Sequence, residues 1–536
     1  MNGAPVPFPS VTTVSDRPAV APEPEPKTLT HDPVWLIALV ALCVAAGIVL
    51  RFVTTSALWL DEALTVNIAT VPLDELRSAL EQDGAPPLYY MLLHFWTDWF
   101  GTGDVSVRFL SGAFAVAALI PMWFAARRLA GADDPANGRR IAWIAVVVLA
   151  SNPYAIRYAT ETRMYSLVIF LVLCGYLAIA RAMERPTFTR LALVSFLGAA
   201  LMYTQYWSMY LLAAVGLWAL WRARPGSENA RRARLLILGL VGVGVLFLPW
   251  VPTFLSQLAH TGTPWGVAVA PPTGMVYALL DFAGGDHTEG WTLFFPSFAL
   301  LLLAIFGLGV ATRTIELDLR TRRAARPAAL IAFGTLLIGL GLSFVSGTAF
   351  QSRYAAVAFP LYLLLIALGF ARFVDARIRI AAVAVVVALG FAGGVRNVVE
   401  QRTQAPEVAD AINPSISADD LIIYCPDQVG PDVSRLLPDD ARGVTFPSGD
   451  GPMLIDWVDY ADVVNATDPV EFTREVIADV PDDATIWVVW SPGYRHFEGK
   501  CEAIISELRS VRPGEELVVP DETLFERQGL VRFPAS

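Results

Sequence analysis

Hydrophobic residues in this chain fall into long blocks. Runs of about 20 mostly apolar residues, the length that crosses a bilayer, begin near Trp35, Val105, Ile141, Met164, Leu191, Trp207, Leu235, Leu293, Ala328, Ala355 and Ile380. They predict eleven transmembrane helices. Aromatic and polar residues interrupt the third to sixth, so the topology is better defined than the boundaries. No Asp, Glu, Lys, Arg or His falls in the middle of any of these runs. Ion-coupled transporters and pumps usually carry such groups, or broken helices, at the midplane, which weighs against a transporter.

The pattern differs at both ends. Residues 1–33 (PVPFPS, APEPEPK) are rich in Pro and Glu and poor in large apolar residues, and predict a disordered tail. The run that follows is span-length and lacks a small-residue cleavage site, so it is not read as a signal peptide. Residues 34–395 form the predicted membrane domain. From 396 to 536, strand-like runs (LIIYC, GVTF, TIWVVW, ELVV, LVRF) alternate with helix-like ones (PVEFTREVIADV, CEAIISELRSV). That alternation predicts a small α/β domain with a largely parallel sheet.

Arginine sets the orientation. One alternate set of loops holds Arg127, Arg128, Arg139, Arg140; Arg181, Arg185, Arg190; Arg222, Arg224, Arg231, Arg232, Arg234; Arg313, Arg320, Arg322, Arg323, Arg326; and Arg372, Arg377, Arg379. The other set offers Arg77, Arg157, Arg163 and Arg353. Positive charge gathers on the cytoplasmic side. The N-terminus is therefore expected in the cytoplasm, with the loop at 54–104 and the α/β domain outside the plasma membrane.

Composition agrees with this picture. The chain has 536 residues, 55% of them hydrophobic and 17% charged, and a mean hydropathy of +0.51. These values mark a polytopic membrane protein. The net charge of −11 comes from an acidic excess in the N-terminal tail and the last 140 residues. It describes the solvated parts and gives no sign of a nucleic-acid partner. Cys43 and Cys174 lie in spans and read as small buried hydrophobes. Cys425 and Cys501 lie in the external domain, where either a disulfide or two free thiols is open to them.

Candidate chemistry is confined to the outer face. The first loop opens with Asp61-Glu62 in SALWLDEALTVN. Leu73, Leu76 and Leu80 then recur at helical spacing among Asp74, Glu75, Arg77 and Glu81, which suits an amphipathic helix in the membrane interface. Pro86-Pro87 starts another helix, whose Tyr89, Tyr90, Phe95, Trp96, Trp99 and Phe100 suit the headgroup level. Asp61 and Glu62 are either a helix cap and a solvated neighbour or carboxylates of a site. Asp83 is either a turn acid before Gly-Pro-Pro or a site residue, and His94 either a packed interfacial histidine or a ligand. A second outward turn, SNPYAIRYATETRMYSL, crowds Arg157, Glu161 and Arg163 among Tyr154, Tyr158 and Tyr165. A later one, SGTAFQSRYAAVAFP, carries Arg353-Tyr354. These charges either pair between loops and with lipid headgroups, or receive a phosphate bearing a sugar, to which the planar guanidinium fork is suited.

LWLDE, DGAPPLYYMLLHFW, RYATETRMYSL and SRY, all on outward loops, resemble the polytopic lipid-linked-sugar glycosyltransferases of the C-type superfamily. The resemblance is strongest to family 39, the protein-mannosyltransferase and aminoarabinose-transferase-like group. It covers roughly residues 35–375 and leaves the α/β domain outside. The Arg-rich style, with Lys27 and Lys500 the only lysines, resembles that of actinobacteria. The resemblance implies a sugar donor on a polyprenyl phosphate, presented at the outer leaflet, and an acceptor hydroxyl on a glycan, lipid or protein. It makes Asp61 the general base of an inverting transfer, with mannose and arabinofuranose as the leading sugars. Arg157, Arg163 and Arg353, with Tyr165 and Tyr354, would bind the donor phosphate. Glu62, Glu161, Asp83 and His94 would orient sugar or acceptor. Some relatives bind a divalent cation and others work without one; here Mg or Mn would fall to Asp61 and Glu161. The rivals are an oligosaccharide or polymer ligase of the same superfamily, and a non-catalytic membrane scaffold or transporter.

Overall fold

The computed structural model describes residues 34–131, 135–263, 266–284, 290–311, 314–318 and 324–535. The segment 1–33, Asp133-Asp134, and Arg313, Arg320, Arg322 and Arg323 lie outside the described residues. A helix occupies each of the eleven apolar runs. Five of these helices, Asp104–Gly131, Tyr165–Glu184, Ala230–His260, Ala325–Ser346 and Ala376–Val399, are long and apolar enough to cross a membrane. Others, such as Val34–Leu50 and Phe359–Phe370, are shorter. One further apolar helix, Pro271–Gly284, was not predicted. At 14 residues it falls below span length, and it carries a buried acid, Asp281, so the apolar bundle does contain an ionisable group.

Every residue of Phe359–Phe370 is buried. A helix that is hydrophobic on all sides belongs at the centre of a bundle, and this one is sheathed by its neighbours rather than by lipid. Gly369 permits the closest approach: a Cβ there would sit 2.2 Å from the Leu300 carbonyl oxygen. Arg51 closes the end of the first helix. Its guanidinium donates to the carbonyls of Gly47 (2.6 Å), Ala150 (2.7 Å) and Leu149 (2.7 Å). A cation thus sits on the C-terminal carbonyls of Pro135–Ser151, where the helix dipole favours it.

Three short helices follow at this end of the bundle: Leu60–Ala69, Leu76–Asp83 and Leu88–Phe100. The apolar stripe of the second does not face lipid as expected. Leu76, Ala79 and Leu80 share a buried cluster with Phe247 and Trp250 and with C-terminal residues such as Ile455 and Val464. The C-terminal domain offers this stripe an apolar underside, so burial against protein replaces burial in the interface. The third helix leaves Met91, Phe95, Trp99 and Phe100 exposed, Trp99 at 82%.

A hairpin of β1 (Gly307–Val310) and β2 (Ile315–Leu317) follows Trp291–Phe306. The C-terminal domain holds a five-stranded sheet of β3 (Leu421–Cys425), β4 (Gly443–Thr445), β5 (Ile486–Trp490), β6 (Glu515–Val518) and β7 (Gly529–Phe533), in the order β4-β3-β5-β7-β6. All five predicted strands and both predicted helices (Pro469–Ile477 and Lys500–Val511) are present. The sheet is less parallel than expected: β3 pairs in parallel with β4 and β5, but β7 pairs antiparallel with β5 and β6. The chain reaches β7 from the short loop after β6, and a hairpin return runs antiparallel. Cys425, at the end of β3, is disulfide-bonded to Cys501 in Lys500–Val511, with a Cα–Cα distance of 5.5 Å.

Candidate active site

Asp61 and Glu62 stand in the first turn of Leu60–Ala69, where the helix dipole favours acids. A helix turns by about 100° per residue, so the two side chains point into different surroundings. Glu62 is fully buried. Arg108 grips it with Nε at 2.7 Å and Nη2 at 2.5 Å, and the Thr162 amide donates to it at 2.8 Å. Burial alone would raise its pKa; Arg108, Arg402 and the Thr162 amide outweigh it and hold the carboxyl below its usual range. Arg108 also donates to the carbonyls of Ser56 (2.7 Å) and Ala57 (2.9 Å), which fixes the loop ahead of the helix.

Asp61 is a fifth exposed and looks into a basin. Arg353 Nη2 lies 3.2 Å from its Oδ2 and Arg163 Nη2 lies 4.0 Å away. These are ion pairs; Oδ2 accepts no hydrogen bond. Arg163 is itself held by the helix, donating to Thr65 Oγ1 at 2.7 Å and to the Asp61 carbonyl at 3.2 Å. Arg353 comes from a short 3₁₀ turn, Ser352–Val357, with its guanidinium over the rings of Trp59 (5.6 Å) and Tyr354 (5.9 Å). Tyr165 is buried beside them, and its hydroxyl has no partner; nor do Arg163 Nε, Arg353 Nε and Trp59 Nε1. Asp83 closes the rim and accepts from the Tyr90 hydroxyl at 3.0 Å. Burial pushes Asp83 up to about 6, against the pull of Arg163 and Tyr90.

The C-terminal domain roofs this basin. Phe525 meets Trp59 edge-on at 5.2 Å. Farther out, Arg435 bonds Asn67 Oδ1 (3.0 Å) and the Thr102 carbonyl (2.9 Å).

No protein-family model matches the chain, and no curated protein sequence does. Its shape is similar to that of ArnT from Cupriavidus metallidurans in the apo state: TM-score 0.61 at 14% identity, over 93% of this chain and 97% of that one. The same protein bound to undecaprenyl phosphate matches with TM-score 0.59 at 13% identity, over 94% and 98%. The chain has the C-type glycosyltransferase fold.

Within that fold, the predicted residues divide. Asp61, Arg163, Arg353, Tyr165, Tyr354 and Asp83 converge on one basin. Glu62 and Glu161 do not reach it as sugar-orienting groups. Glu62 is enclosed by Arg108, and Glu161, 1% exposed, pairs with Arg157 (3.2 Å) and Arg402 (3.6 Å). Arg157 is thereby engaged with Glu161 and, at 4.0 Å, with Glu400, rather than with Asp61. His94 Nδ1–H donates to the Ala69 carbonyl (2.7 Å), at the far end of the Asp61 helix, about 12 Å along its axis. It packs rather than ligates. The pair proposed for a divalent cation does not fit one: guanidinium groups flank both Asp61 and Glu161 where the ion would sit. Among the described residues, no three His, Cys, Asp or Glu side chains gather to hold a metal.

Sequence reasoning missed Arg108, Arg402, Trp59 and Glu526. Arg108 lies inside a run predicted as a membrane span, and Arg402 at the start of the predicted α/β domain, ahead of its first strand-like run. Trp59 in LWLDE was quoted only as part of a motif. Nothing local marks Glu526, because its role depends on a contact 466 residues away.

Proposed function

We propose that the chain is an inverting glycosyltransferase that moves a sugar from a polyprenyl-phosphate donor to an acceptor hydroxyl on the extracytoplasmic face of the plasma membrane. The observation that carries this reading is Asp61, a carboxylate a fifth exposed and flanked by two arginines, at the roofed end of a C-type fold. A structure of similar fold holds undecaprenyl phosphate, which supports a donor of that class.

The chemistry follows from the geometry. Arg353 and Arg163 stand against Asp61 in the ligand-free basin. A donor phosphate competes for both guanidinium groups, since charge-assisted bidentate pairing is strong. As they turn to the phosphate, the Asp61 carboxylate is released to accept the proton of the acceptor hydroxyl. That oxygen attacks the anomeric carbon, the bond from this carbon to the phosphate oxygen breaks, and the electron pair leaves with polyprenyl phosphate. The arginines stabilise the charge that develops on the departing phosphate. The Tyr165 hydroxyl, without a partner in the fold, is placed to donate to the same group. In cell-envelope assembly, mannose and arabinofuranose are the sugars to try first.

Asp61→Asn keeps the shape of the side chain and removes its ability to take a proton. A positioned base contributes about 10²–10⁴-fold, so transfer should fall by that factor at normal protein abundance. Mass spectrometry of envelope glycans, with and without the protein and with the variant, reads the outcome. Unchanged glycans after deletion, or full transfer by Asp61→Asn, would sink the reading.

A further inference from the structure

The helix that bears Asp61 begins without a cap of its own. Trp59 occupies the N-cap position in extended backbone and offers no side-chain acceptor. The amide of Leu60, the residue before Asp61, is met instead by the carboxyl of Glu526, with its two oxygens 3.1 and 3.2 Å away. Glu526 is 4% exposed. Its backbone is locked to the start of the C-terminal domain: its amide donates to the Arg402 carbonyl and its carbonyl accepts from the Gln404 amide, both at 3.0 Å. Arg402 in turn reaches Thr160, Glu161 and Glu62.

From this geometry we infer that Glu526 is a positioning residue for Asp61, so that the C-terminal domain completes the active site instead of merely covering it. The inference rests on the proposed function in naming Asp61 the base. Its physical basis is the first helical turn, whose amides have no partner within the helix. An external acceptor on Leu60 pins that turn, and the turn sets where the Asp61 side chain points. Small misplacements matter: about 1 Å costs about 10²-fold in a reaction that depends on alignment.

The other side of the Glu526 carboxyl faces Asp432, which already accepts from Thr403 Oγ1 (2.8 Å) and Gln528 Nε2 (2.9 Å). Burial and this second carboxylate raise the pKa of Glu526 and favour its neutral form. Glutamine is therefore its close mimic, since the amide N–H can face Asp432 while the amide oxygen still accepts from Leu60. Aspartate keeps the acid but is one methylene too short to reach.

The experiment compares Glu526→Gln with Glu526→Asp in the full-length chain in detergent or nanodiscs. Hydrogen–deuterium exchange is read on the peptide spanning 57–66 and on peptides from β3 and β5. Loss of an N-cap predicts about fivefold faster exchange in 57–66 for Glu526→Asp, near-normal exchange for Glu526→Gln, and no change in the sheet peptides. Transfer kinetics from undecaprenyl-phosphate-linked mannose and arabinofuranose should show kcat falling about tenfold in Glu526→Asp. The donor KM should rise by less than kcat falls, because Arg353 is carried by the separate Ser352–Val357 turn and only Arg163 leans on this helix. Unchanged exchange in 57–66 overturns the inference, and so does loosening that spreads through β3 and β5, which would make Glu526 a strut of its own domain. If the wild-type protein transfers no sugar, the proposed function fails. The exchange comparison then decides on its own whether Glu526 holds the helix.

Discussion

Asp61 and Glu62 are neighbours in sequence, and two different regions close around them. Around Glu62 the carboxylate is matched bond for bond by Arg108 and the Thr162 amide, with no exposure to solvent. Around Asp61 two arginines stand near, yet Oδ2 accepts no hydrogen bond, and Arg163 Nε, Arg353 Nε and the Tyr165 hydroxyl are unmatched. Charged groups of one kind thus do opposite work. The Glu62 carboxylate, matched by its partners, fixes the backbone around it. The Asp61 carboxylate stands among unmatched donors, and buried polar groups without partners are where a ligand or water can bind.

The largest effect should come from breaking the saturated side. Glu62→Ala leaves Arg108 buried and unpaired, which should cost about 3–5 kcal/mol. The protein should be lost or melt far earlier in fluorescence-detected gel filtration, whereas Asp61→Asn leaves melting unchanged. Equal melting of both variants would erase the contrast. Next in size, Arg353→Ala should weaken undecaprenyl phosphate binding about 10–100-fold, the worth of one or two hydrogen bonds to a charged group. Titration of that lipid into the purified protein measures this, and an unchanged affinity would place the phosphate elsewhere.

The smallest effect is a pH dependence of the roof. Burial raises Asp427 to about 7 and Asp432 to about 6. An acid whose folded pKa is raised adds stability below its unfolded value, near 4, and loses that contribution as pH climbs through the folded value. The C-terminal domain should therefore melt several degrees lower at pH 8 than at pH 5. Asp427→Asn should flatten that slope, and a melting temperature that rises over the same range would contradict the buried-acid account.

The helices were legible because a membrane demands length and apolarity together, and few other causes produce runs like those at Ala328 or Ile380. The strands of the C-terminal domain were legible for a similar reason, since LIIYC and TIWVVW suit buried strands. The directions of β6 and β7 were not, because pairing depends on how the chain returns rather than on what it contains. In the basin, Asp61, Arg163 and Arg353 could be proposed together from their loops. Only the family resemblance separated Asp61 from Glu62; the residues alone left both open, because the answer lies in a 100° rotation and in an arginine from the next span. Pro271–Gly284, with Asp281, escaped because it is too short to register as a span.

The bond from Glu526 to Leu60 also imposes a timetable. The two partners are 466 residues apart, and at about 5–20 residues per second the helix start waits roughly 25–90 seconds on the ribosome for its acceptor. Until Glu526 is made, Asp61 sits on an unpinned turn. A nascent chain that has not yet reached residue 526 therefore carries Asp61, Arg163 and Arg353 and still lacks the acceptor that pins the first helical turn, so that the order of synthesis becomes an order of assembly.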